Sequence, residues 1–212
     1  MIEPPQPQDE GKRLAALRSL EILDTPPEER FDRITRIASH LFNVPIALVT
    51  LIDSDRQWFK SSQGLSVTET PRSISFCAHA ILNTEVLVVP DAAVDPRFSD
   101  NPVVTGEPRV RFYAGCPLAG PDGRKLGVLC VIDRRPRQLS DRALGTLKDL
   151  AAIVEEELGN ITLNRMNGLL RKNEARLEER VRTRTREIAA VNKALLAEIA
   201  ERKCAEEALQ RF

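Results

Sequence analysis

Histidine occurs only twice in this chain, tryptophan and tyrosine once each, and no run of about 18 apolar residues appears anywhere. The two histidines, His40 and His79, leave a haem or metal site short of ligands. No set of three or four His, Cys or carboxylate ligands can be assembled at a recognisable spacing. Charge of one sign is not in excess either: 31 Lys and Arg balance 31 Asp and Glu. A neutral chain carries no basic footprint for nucleic acid or an anionic membrane, so neither partner is expected. Cysteine is scarce, and Cys77, Cys116, Cys130 and Cys204 show no C-x-x-C spacing. No Ser-His-Asp set, phosphate loop or nucleotide-transfer signature is visible. The start, Met1 to Gly11, is proline-rich and acidic rather than a signal peptide, which predicts a cytoplasmic chain with reduced thiols.

What remains is 212 residues, 42% hydrophobic and 29% charged. That is enough for one domain of roughly 150 residues plus an extension, not for two full cores. The pattern divides into a disordered start (1–11), a mixed domain (12–158) and a long charged helix (159–212). Lys12 to Leu23 places Leu14, Leu17 and Leu20 on one face of a short helix. Thr25-Pro26-Pro27-Glu28 has the residues of a capped helix start, and Phe31, Ile34, Ala38 and Leu41 form the apolar face that follows. Asn43-Val44-Pro45 stops it.

Ile46 to Ile52 is the continuous apolar run of a central strand, and Gln57 to Ser62 returns beside it as a hairpin. A short helix is expected over Ile74 to Leu82, a strand over Val86 to Val89, and a long irregular segment over Asp91 to Gly106. Loops of that length usually cover something. Two more strands, Val110 to Leu118 and Lys125 to Ile132, flank the turn Gly120-Pro121-Asp122-Gly123. Ser140-Asp141 then caps a helix with Leu144, Leu147, Leu150, Ala151, Val154 and Leu158 on one side.

Beyond Leu163 the chain is charged with a thin apolar stripe. One seam holds Leu170, Leu177 and Val191; the other holds Val181, Ile188, Leu195 and Leu209, with two polar breaks in each. Val191, Leu195 and Ile199 follow at steps of four, which relaxes a heptad repeat locally. Such a helix buries too little surface alone, so these seven seam residues are the expected dimer contacts.

Four stretches carry a specific resemblance. They are Arg72-Ser73-Ile74-Ser75-Phe76-Cys77-Ala78-His79-Ala80-Ile81, then Val88-Val89-Pro90-Asp91-Ala92 with Asp95-Pro96-Arg97-Phe98, then Arg111 to Leu118, and Leu126 to Asp133. Together they resemble a bacterial GAF domain, of the group found in sensor histidine kinases and diguanylate cyclases, over about Leu14 to Leu158. The tail around Glu198 to Leu209 resembles the signalling helix that joins such domains to a downstream module. The resemblance implies an α+β fold: an antiparallel sheet of five or six strands with helices on both faces, plus the coiled-coil helix. It also implies a homodimer, a covalently linked effector domain and a pocket for a small ligand of unspecified identity, with no cofactor required.

Candidate ligand-binding residues follow from that placement: Trp58, Phe76, Cys77, His79, Asp91, Asp95, Arg97, Phe98, Phe112, Tyr113 and Cys116. Each has a structural alternative. Cys77 and His79 start a helix beside the pocket, where amides favour an anion or a thiolate, or they are simply buried. Asp91, Asp95 and Arg97 are ligand groups or loop-stabilising ion pairs. Phe98, Phe112 and Tyr113 stack on a planar ligand or fill the core; Trp58 is a pocket wall or sheet packing. Ala78 separates Cys77 from His79, unlike the Cys-His of bilin-binding relatives, so a bilin is not expected. Three functions stay open: a sensory module signalling through the coil, a ligand-free dimerisation module, and a thiol-dependent free methionine sulfoxide reductase in which Cys116 and Cys130 face each other.

Overall fold

In the computed structural model the backbone is described for residues 1–209 and the side chains for residues 1–203. Helices α1 (Glu10–Ser19) and α2 (Glu29–Phe42) come first, followed by strands β1 (Ile46–Ile52), β2 (Arg56–Gln63) and β3 (Glu69–Pro71). A single 3-10 turn (Arg72–Ile74) leads into α3 (Phe76–Ala80), β4 (Leu87–Val89) and α4 (Pro102–Thr105). Strands β5 (Phe112–Ala119) and β6 (Lys125–Asp133) precede α5 (Asp141–Leu209). The strands form a six-stranded sheet in the order β3-β2-β1-β6-β5-β4, and each of its pairings is antiparallel.

Each inner strand is buried on both sides, so its residues alternate between two separate apolar layers. Ala47, Val49, Leu51, Leu129 and Val131 pack with Leu17 of α1, Phe31, Ile34 and Ala38 of α2, and Leu147, Val154 and Leu158 of α5. Ile46, Leu48, Ile52, Val128, Cys130 and Ile132 face the other way, against α3, α4 and the segment before β5. The α+β architecture expected from the resemblance is the one observed. The chain forms two compact units, Met1–Thr162 and Leu163–Phe212.

Several local readings need correction. Helix α2 begins at Glu29 with no side-chain cap bond, because Thr25, Pro26 and Glu28 are engaged elsewhere. The ammonium of buried Lys60 donates to Thr25 Oγ1 (2.7 Å) and the Pro26 carbonyl (2.9 Å) and pairs with Glu28 (2.6 Å). Leu41 points to solvent, and Phe42 takes its place in the core. The short edge strand β3 has no apolar alternation to announce it. The continuity of the last helix needs no correction: Gly159 and Gly168 both lie inside α5, each weakening it by roughly 1 kcal/mol relative to Ala without ending it. Residues 1–11 were expected to be loose, yet Ile2 N–H donates to the Arg97 carbonyl at 3.1 Å, and Glu10 and Gly11 already belong to α1.

Candidate functional site

Between the sheet and the α3–α4 layer lies a cavity of about 430 Å³. Leu48 of β1, Gln57 and Phe59 of β2, Tyr113 of β5 and Ile132 of β6 supply its floor, as strand alternation dictates. Ile74, Phe76, Cys77, Val103 and Val110 close it from the opposite side, and Ser66, Val67, Glu107 and Arg134 form a rim of exposed residues. The lining is mostly apolar with a few polar groups, the character of a small-molecule pocket.

Two caps hold the far wall in place. Ser75 Oγ accepts from the Ala78 N–H at 2.9 Å, starting α3, and donates to Gln57 Oε1. Asn101 Oδ1 accepts from the Val103 N–H at 3.1 Å, starting α4, while its amide donates to the Ile74 carbonyl at 2.9 Å. The wall is thus anchored to the floor through Ser75 and Gln57, and α4 to the turn before α3 through Asn101.

Gly115 shapes the centre of the site. A Cβ there would sit 2.1 Å from the Tyr113 hydroxyl, so only glycine lets the Tyr113 ring lie along β5. In that position the hydroxyl donates to Cys77 Sγ at 3.3 Å. Cys77 Sγ in turn lies 3.7 Å from Cys130 Sγ. Burial pushes the Tyr113 phenol and the Cys130 thiol well up from their ordinary pKa values.

Of the residues singled out from sequence, Phe76, Cys77 and Tyr113 line the cavity. Phe98 stands behind them, stacked on Phe76 with ring centres 3.9 Å apart, and the His79 ring meets Phe98 edge-on at 5.0 Å. His79 Nε2 is 3.1 Å from the Ile2 carbonyl, and burial lowers its pKa. Asp95 and Arg97 pair with each other at 2.6 Å, which holds the Asp95 carboxyl below the usual range. Asp91 accepts from the Ala93 N–H at 3.0 Å. The irregular segment therefore braces the cavity wall through internal bonds.

Trp58, Phe112 and Cys116 do not reach the cavity. All three project into the helical layer on the other face of the sheet. Register explains it: Gly115 pairs with Cys130, while Cys116 pairs with Leu129, so Cys116 and Cys130 do not meet. The partner of Cys130 is Cys77, from a different element, which strand reasoning alone does not find. Gln57, Ser75, Glu107 and Arg134 were also missed; period-2 alternation around Trp58 was the available signal for Gln57.

Residues 26–158 match the GAF domain family, well over half of the chain, and the chain belongs to that family. It is a sensory or regulatory domain of the kind carried by signalling proteins. A cyclic di-GMP phosphodiesterase of Pseudomonas aeruginosa is 50% identical over 155 residues, which is 73% of this chain and 26% of that protein. This chain therefore spans about a quarter of that relative's length. Among solved structures, the GAF domain of an Acinetobacter phosphoenolpyruvate-protein phosphotransferase superposes with a TM-score of 0.52 at 22% identity, covering 69% of this chain and 92% of that one. The chromophore-binding domain of a bacteriophytochrome from R. palustris gives 0.54 at 15% identity, covering 76% and 65%. At those identities the likeness is one of fold.

Proposed function

We propose that this chain is the sensing part of a larger cytoplasmic signalling protein, binding a small, largely apolar ligand and passing its state through α5 to an effector. The observation that carries the proposal is the 430 Å³ cavity, lined by Phe76, Cys77 and Tyr113 and opening at a rim of exposed residues, in a domain of this family. By likeness to the Pseudomonas relative, the effector would be a cyclic di-GMP phosphodiesterase, and the GAF part would regulate rather than catalyse. A ligand shifts such a system only as far as its affinities for two states differ.

Native mass spectrometry of freshly purified chain tests this. The expected result is a co-purified small molecule that is released on denaturation and lost in Val103→Trp, which fills the cavity. Repeated bare protein, with no thermal stabilisation by metabolite extracts, would overturn ligand sensing and leave a ligand-free dimerisation module.

A further inference from the structure

We propose that Cys77 and Cys130 form a peroxide-reactive dithiol in the cavity wall, oxidised by a hydroperoxide to a disulfide that ties α3 to β6. The two sulfurs come from elements 53 residues apart and lie 3.7 Å from each other, both buried. Closing to a disulfide of about 2.05 Å requires rotation at one side chain and a small shift of α3, a helix of five residues.

Access and reactivity differ between the two. Cys77 lines the cavity, which admits a molecule the size of hydrogen peroxide past its exposed rim, whereas Cys130 lies beyond the lining. Burial works against a thiolate at Cys77, but its polar surroundings, among them the Tyr113 hydroxyl that donates to the sulfur, outweigh it and lower the thiol's pKa. Cys130 is pushed the other way by burial and by Cys77, so it stays protonated as the resolving thiol. Attacking and resolving partners are thereby distinguished first by access, since only Cys77 faces the cavity.

In the first step the Cys77 thiolate attacks one peroxide oxygen; the O–O bond breaks, the other oxygen leaves and takes up a proton, and a sulfenic acid forms. In the second, Cys130 sulfur attacks Cys77 sulfur. The S–O bond breaks, and hydroxide departs as water with the Cys130 proton. Two thiols lose two electrons and the peroxide gains them. A dithiol reductant reverses the change by thiol–disulfide exchange.

The test treats the full reduced chain, in a Cys116→Ser/Cys204→Ser background, with one equivalent of hydrogen peroxide. Intact mass should fall by about 2 Da, the two hydrogens of a disulfide, and peptide mapping without reductant should join Cys77 to Cys130. Adding Cys130→Ser should instead give a gain of about 16 Da at Cys77, the sulfenic acid. Tyr113→Phe should slow the reaction about fivefold, as expected for one lost hydrogen bond to the sulfur. The same map on the wild-type chain guards against a background that fails to fold. Unchanged mass with both thiols alkylatable after unfolding, or a cross-link at any other cysteine pair in the wild type, would overturn the proposal.

Discussion

Glu10 sits between two buried guanidinium groups. Its carboxylate receives Arg13 through paired contacts of 2.7 Å and Arg72 at 2.5 Å, while Arg13 Nη1 and Arg72 Nη2 are buried without a partner among the described residues. Burial works against the Glu10 charge, but the two arginines outweigh it and bring the pKa from 4.5 to about 2. A carboxylate depressed on folding contributes stability that is fully present above its unfolded pKa of 4.5 and lost as pH falls towards about 2. Glu10→Gln should therefore lower the urea midpoint at pH 7, with the gap to wild type closing through that acid window. A gap independent of pH would rule out the ionic origin. The arginine pair was invisible in sequence, since Arg13 occupies a position in α1 that apolar patterning reads as surface.

At the scale of elements, Lys60 shows why a good local signal failed. Thr25-Pro26-Pro27-Glu28 has the chemistry of a helix start, yet those groups surround an ammonium that also lies over the Phe31 and Trp58 rings at 5.5 and 5.8 Å. A buried cation needs its donors satisfied, and that requirement outranks a cap worth about 1 kcal/mol. Lys60→Met should lower stability by roughly 2 kcal/mol, mainly through the hydrogen bonds lost at Thr25 and Pro26, because the half-exposed Glu28 carboxylate is left to solvent; denaturant unfolding measures it. A change below about 1 kcal/mol would mean the segment holds itself. Elements with strong periodicity were legible: β1 was found at its observed ends because seven consecutive apolar residues admit little else, and the α2 face, apart from Leu41, and most of the α5 face followed from their spacing. The candidate site was legible only in part. Phe76, Cys77 and Tyr113 sit where helix and strand position imply, but face choice on β2 and β5 required the register, which a residue list does not contain.

For the whole molecule, the unit from Leu163 onward keeps its apolar stripe uncovered: Leu170, Leu177, Val181, Ile188, Val191 and Leu195 are each at least half exposed. Leu209, the last seam residue, lies outside the residues whose side chains are described. A lone helix of this composition gains little from its own apolar side chains, so a second copy of the stripe is the natural cover. Sedimentation equilibrium should find a dimer, and ending the chain at Asn160 should weaken it about 100-fold or more, some 3 kcal/mol. Monomers from both chains would remove the coiled-coil assignment. Strand β6 carries one last implication. The same stretch of backbone sends Leu129 and Val131 to the helical layer, and Cys130 and Ile132 to the cavity layer. A library of β6 variants screened for soluble yield alone would therefore discard the substitutions most informative about perception, because on that strand scaffold and receptor are one wall.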